Sequence, residues 1–130
     1  MLPAIAVFLG AGFGGLMRHF ANLAGARLFG MTGFPLTTML VNIAGCFIMG
    51  VFTAWFAFKA GAGTMLPQHV RLFLTTGILG GFTTFSTFSL EFAVLVERGE
   101  MGQAAAYAAG SLVLCLVAVF AGLGLVRALG

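Results

Sequence analysis

Charge is what this chain has least of. Asp, Glu, Lys and Arg make up 7% of its 130 residues, against roughly 25% in a soluble globular domain. With 61% hydrophobic residues and a mean hydropathy of +1.13, the surface cannot be aqueous, and the chain reads as an integral membrane protein. Aspartate is missing altogether, and His19 and His69 have no carboxylate nearby in sequence to orient them. No nucleophile–base arrangement or cluster of metal-ligating residues stands out, so an enzyme is not indicated. Gly10-x-Gly12-x-x-Gly15 matches the dinucleotide fingerprint by letter. It lies inside a membrane helix without the strand–turn–helix context that gives the fingerprint meaning, and it carries no such reading. The net charge of +3 is too small and dispersed for nucleic-acid binding.

Other absences narrow the class. Met1-Leu2-Pro3-Ala4 has no basic stretch, and the apolar run continues beyond signal-peptide length, so the first helix is expected to be retained. The apolar segments do not alternate as barrel strands do. The only cysteines, Cys46 and Cys115, fall inside predicted helices, where they read as small apolar fillers rather than a disulfide framework.

What is there is apolar length. At about 20 residues per crossing, four helices are expected over residues 4–28, 35–58, 70–96 and 103–127, making one four-helix domain of residues 1–130. The connections Gly30–Gly33, Lys59–His69 and Glu97–Gly102 are rich in Gly, Pro or charge. With four crossings, Lys59, Arg71 and Arg127 fall on one side and Arg27 and Arg98 on the other, a weak bias under the positive-inside rule. A chain so balanced can insert in both orientations, and its natural assembly is then an antiparallel dimer with its axis in the membrane plane. The alternative is a single orientation set by something this count misses.

Several helix faces carry polar chemistry. Gly10, Gly14 and Arg18 recur at four-residue spacing, so the glycines admit a close neighbour on the face that bears the arginine. An arginine at this depth costs several kcal/mol unless it pairs or reaches water; it either snorkels or is buried near a dimer interface or vestibule. On the second helix Thr38 and Asn42 share a face, and the Asn42 amide must bond to a helix, to water or to a permeating species. Gly45 and Gly50 allow close packing nearby.

The most telling segment is Gly80-Gly81-Phe82-Thr83-Thr84-Phe85-Ser86-Thr87-Phe88-Ser89-Leu90-Glu91. Gly costs about 1 kcal/mol relative to Ala inside a helix, and threonine is β-branched. Unwinding over Gly80–Thr83 is therefore expected, freeing carbonyls of the kind that hold small cations in broken membrane helices. If the helix resumes near Phe85, then Phe85, Phe88 and Phe92 form one stripe, and Thr84, Thr87 and Glu91 the next. Phenyl edges are positive and could favour a partly dehydrated anion without holding it as an arginine would. A fixed Glu91 carboxylate opposes that, so it must be protonated, paired with a cation or turned away. On the last helix Tyr107, Ser111 and Cys115 form one stripe that either lines a path or bonds to neighbouring helices.

Three motifs carry a family resemblance: Gly14-Gly15-Leu16-Met17-Arg18; Thr38-Met39-Leu40-Val41-Asn42-Ile43-Ala44-Gly45-Cys46-Phe47; and Gly80-Gly81-Phe82-Thr83-Thr84-Phe85-Ser86-Thr87-Phe88-Ser89. In kind and order they resemble the Fluc (CrcB) family of bacterial fluoride channels. The resemblance implies an all-α membrane protein of the inner membrane, with the third helix broken and two copies forming an antiparallel, dual-topology homodimer with two pores. It makes Phe85 and Phe88 pore phenylalanines and Asn42 the pore asparagine, with Thr38 and Thr84 beside them along the fluoride pathway. The main-chain carbonyls of Gly80 and Thr83 would hold a central structural sodium ion. Tyr107, Ser111 and Cys115 fall on a polar track of the last helix, where Cys115 departs from a hydroxyl. Arg18 and Glu91 are left as structural or vestibule residues.

The implied activity is passive, selective fluoride export. Hydrofluoric acid crosses membranes as the neutral weak acid and dissociates inside; the trapped anion then leaves through the channel. Two other readings compete. One is a proton-coupled exporter of cations similar to the small multidrug transporters, which depend on a first-helix glutamate absent here, so Glu91 would take over that task. The other is a non-transporting assembly subunit.

Overall fold

The computed structural model describes residues 1–30 and 33–130. Residues 31 and 32, in the middle of the expected Gly30–Gly33 connection, lie outside the described residues. Four helical segments are long and apolar enough to cross a membrane: Leu2–Phe29, Leu36–Gly61, Gln68–Glu97 and Met101–Leu129. The first is α1 (Leu2–Phe29), entered through a proline in its first turn, where a missing N–H costs nothing. The second is α2 (Leu36–Gly61), and the last is α6 (Met101–Leu129).

The third span is composite. It opens as α3 (Gln68–Leu72), widens into a π-helical stretch, Phe73–Leu79, and tightens again in the short α4 (Gly80–Phe82). Thr83 and Thr84 are extended, and helix resumes as α5 (Phe85–Glu97). The break is therefore real but later and shorter than the glycines suggest. Gly80 keeps helical dihedrals, φ −64 and ψ −37, and Gly81 lies within α4. The expected unwinding over Gly80–Thr83 is corrected to the two residues Thr83 and Thr84.

Gly81 serves packing rather than unwinding. A Cβ there would meet the backbone of Ala11, and one at Gly77 would lie 2.9 Å from the Cα of Gly10. The α1 glycine face thus zips down the third span: Gly10 lies on Phe73 and Gly77, and Gly14 lies on Ile78 and Phe82. Backbone contact between helices without Cβ atoms is how small residues drive association in lipid, where no hydrophobic force acts between helices. The zipper ends at the break, where the Arg18 guanidinium donates to the Thr83 carbonyl at 3.2 Å.

The other close pair is α2 with α6. A Cβ on Gly50 would lie 3.1 Å from the Leu123 nitrogen, and one on Gly122 would lie 2.9 Å from the Val51 nitrogen. The Glu97–Gly102 connection is a Schellman turn. Gly99 takes φ 75, its N–H bonds to Val96 O at 2.9 Å, and the Glu100 N–H reaches Leu95 O at 2.9 Å. This tight reversal folds α5 back against α6 around Leu95, Ala104 and Tyr107, which Phe34, Met39, Phe88 and Phe92 flank.

Candidate functional site

Breaking a helix in lipid leaves main-chain donors and acceptors without partners, each costly unless satisfied. Here one side chain satisfies a whole peptide's worth. Asn42 Nδ2 donates to Thr84 O at 3.0 Å, and Thr84 N–H donates to Asn42 Oδ1 at 2.9 Å. The amide on α2 thus stands in for a strand partner. Thr84 then starts α5 by accepting from Thr87 N at 3.2 Å, a conventional N-cap. Thr83 closes the preceding turn, its N–H and Oγ1 reaching Leu79 O at 3.0 and 2.8 Å. Its side chain fills the space that Gly45 leaves open on α2. Because the Thr83 N–H goes to Leu79 and the Thr84 N–H to Asn42, neither reaches the Gly80 carbonyl.

Beside the break lies a cavity of about 560 Å³ whose wall includes Asn42, Thr83, Thr84, Phe85, Phe88, Ser111 and Cys115. Phe85 is 78% exposed, and its ring centroid lies 5.5 Å from that of Phe88, tilted by 35°. Asn42 spends one amide hydrogen on Thr84 and has a second to offer. Ser111 is buried, and its Oγ has no hydrogen-bond partner among the described residues. An unpartnered buried hydroxyl is rare enough to need a reason. A cavity with phenyl rings, a free hydroxyl and no fixed charge on its wall suits a small anion stripped of part of its water.

Below Phe88 the polar groups are arranged differently. Thr38 Oγ1 donates to Glu91 Oε1 at 2.8 Å, and Tyr107 OH donates to Glu91 Oε2 at 2.7 Å. Tyr107 is fully buried, with its ring 5.0 Å from that of Phe88. Of the residues singled out from the sequence, Asn42, Thr84, Phe85, Phe88, Ser111 and Cys115 come together around the cavity. Thr38 and Tyr107 instead gather on Glu91. Of the outcomes expected for that carboxylate, the arrangement fits one: Glu91 is absent from the cavity lining and is turned to two hydroxyls beyond Phe88.

Sequence reasoning missed Cys46, which also lines the cavity. Its position, four residues after Asn42 on one helix face, was the available signal. It also missed the bond from Arg18 to Thr83, a contact 65 residues apart that no local pattern announces.

Comparison with known proteins gives a consistent picture. The family profile described as "CrcB-like protein, Camphor Resistance (CrcB)" matches residues 5–123. A "Fluoride-specific ion channel FluC" from Methylobacterium nodulans is 54% identical over 130 residues, covering 100% of both chains. One from Rhodopseudomonas palustris is 52% identical over 123 residues, 95% of each chain. Another from Granulibacter bethesdensis is 52% identical over 129 residues, 99% of this chain and 98% of the relative.

Proposed function

The chain belongs to the CrcB-like family, and from that premise we propose that it is a fluoride-specific channel exporting the anion passively. Members of this family are channels and not enzymes, and the protein is a multi-pass protein of the bacterial inner membrane. The observation that carries the reading is the cavity beside the break, walled by Phe85, Phe88, Asn42 and Ser111 with no charged residue in its lining. The Ser111 hydroxyl behind that wall is buried and unpartnered, a donor that a dehydrated fluoride pressing into the wall would accept.

In this reading the ion enters beside Phe85, exchanges water for phenyl edges and the spare Asn42 and Ser111 donors, and moves past Phe88. Thr84 and Cys115 complete the wall, and Thr38 and Tyr107 are the hydroxyls beyond Phe88, where an anion competes with Glu91 for their protons. Binding by several weak donors and no fixed cation allows release as readily as entry.

The working unit is an antiparallel homodimer with two pores. The large exposure of Phe85 at mid-membrane supports a second copy closing the cavity. The main-chain carbonyls of Gly80 and Thr83 fit the role of sodium ligands. The first lacks a helical donor, and the second accepts Arg18 with one lone pair to spare. Two oxygens are few for a hard cation, and the same pair from the second copy supplies the rest. A bound sodium ion would place fixed positive charge beside the anion path. The competing exporter has no observation in its favour, since both Glu91 oxygens are engaged by hydroxyls.

Proteoliposomes loaded with fluoride test the reading: efflux without a proton gradient is expected, and proton-coupled cation transport lost in Glu91→Gln would overturn it. Replacing sodium by potassium on both sides is expected to stop efflux. Single-cysteine loop variants labelled from each side separately report whether both orientations are present.

A further inference from the structure

Two thiols meet at the cavity wall, one from each of the closely packed helices α2 and α6. Cys46 and Cys115 are both free and both line the cavity. The register explains the meeting. The α2 and α6 helices run in the same direction: Met39 Cε lies 3.0 Å from where a Cβ on Gly110 would stand, and Gly122 abuts Phe47, Gly50 and Val51. Cys46 and Cys115 fall between these two tie points and are carried opposite each other. Main-chain contact at Gly50 and Gly122 keeps the helices from drifting apart there, so the thiol pair is held in place by backbone rather than by flexible side chains.

We infer that Cys46 and Cys115 form a dithiol site for a thiophilic, two-coordinate metal ion such as Hg(II), set in the wall of the cavity. Among the described residues no cluster of three or more His, Cys, Asp or Glu could hold a metal, so a tetrahedral zinc site is excluded. Sulfur ligands select soft ions, and an ion that binds linearly needs only two of them. The oxygens on the same wall, from Asn42, Thr83, Thr84 and Ser111, are neutral and hard, and a soft ion prefers the two thiols to them. Mercury arrives as neutral HgCl2, which crosses lipid. Two S–H and two Hg–Cl bonds break, two Hg–S bonds form, and two HCl leave, with no change of oxidation state. The product is a neutral bridge between α2 and α6 facing Phe85, Phe88 and Ser111. Its effect on flux rests on the proposed function; the binding itself does not.

Mercury titration of the purified protein in detergent, followed by thiolate–mercury ultraviolet absorption and by the mass of the chain, tests the site. One mercury per chain is expected, kept against a monothiol and removed by a dithiol. Cys46→Ser and Cys115→Ser should each weaken binding by about 100-fold or more, because the bridging ion loses the local concentration of the second thiol. Cys46→Ala should do the same. Two ions per wild-type chain, or a single variant that binds as tightly as the wild type, would overturn the proposal; the wild-type stoichiometry decides even where a variant aggregates. In proteoliposomes HgCl2 should arrest fluoride efflux in the wild type, with efflux restored by a dithiol but not by a monothiol, and efflux unaffected at one bound mercury per chain would overturn the placing of the site on the pathway. Wild-type vesicles with no fluoride efflux at all would count against the channel while leaving the one-per-chain result standing.

Discussion

The two polar regions on either side of Phe88 contain similar chemistry in opposite states. Below it, Thr38, Glu91 and Tyr107 use one another up: each carboxylate oxygen receives a hydroxyl, and the tyrosine is sealed in the core. Above it, the Ser111 hydroxyl has nothing, Phe85 stands open, and Asn42 has a hydrogen left over. A satisfied network rigidifies a helix bundle, whereas an unsatisfied one at the same depth is held ready for a ligand. Polar groups on the same helices thus divide into scaffold and path according to whether their partners are inside the chain.

Substitutions can break or sharpen that division. The largest effect on transport is expected from Phe85→Ile, which should reduce fluoride efflux to the leak of protein-free vesicles. Its thermal unfolding in detergent, followed through the single Trp55, should stay unchanged because the ring packs on little within the chain. Asn42→Ala should come next and strike both properties. It strands the Thr84 N–H in the membrane interior at about 1–3 kcal/mol, so unfolding should occur at clearly lower temperature and efflux should fall with it.

Tyr107→Phe leaves one Glu91 oxygen buried without a donor, a loss of about 1–3 kcal/mol, and should lower the unfolding temperature. Ser111→Ala should do the reverse. Stability should hold within about 0.5 kcal/mol, while efflux falls about tenfold through the loss of one hydrogen bond to the ion, worth about 1.4 kcal/mol. If Ser111→Ala destabilised the protein and Tyr107→Phe did not, the contrast between the regions would collapse.

Much of the architecture was legible in the sequence. Apolar length announced four crossings, and four helical segments are long and apolar enough to make them. The Gly10-x-x-x-Gly14 face was legible as a contact face, though not its partner, the π-helical stretch of the same chain. The break was misplaced for a physical reason. Low helix propensity at Gly80 and Gly81 points to unwinding there, but Gly81 is packed against Ala11 and Gly15 of α1 and Gly80 beside it keeps helical dihedrals, so tertiary context overrides propensity.

The sequence by itself therefore determined what depends on local composition and period: a membrane protein, four spans, a polar third helix, and the motifs that carry the family. Only the tertiary structure decided which polar groups find partners. Asn42 meets Thr84 across 42 residues, Thr38 meets Glu91 across 53, and Arg18 meets Thr83 across 65. Such pairings depend on the register between helices, which is set where glycines let backbones touch. Periodicity along one helix shows which residues share a face, and only packing against another helix shows what that face meets.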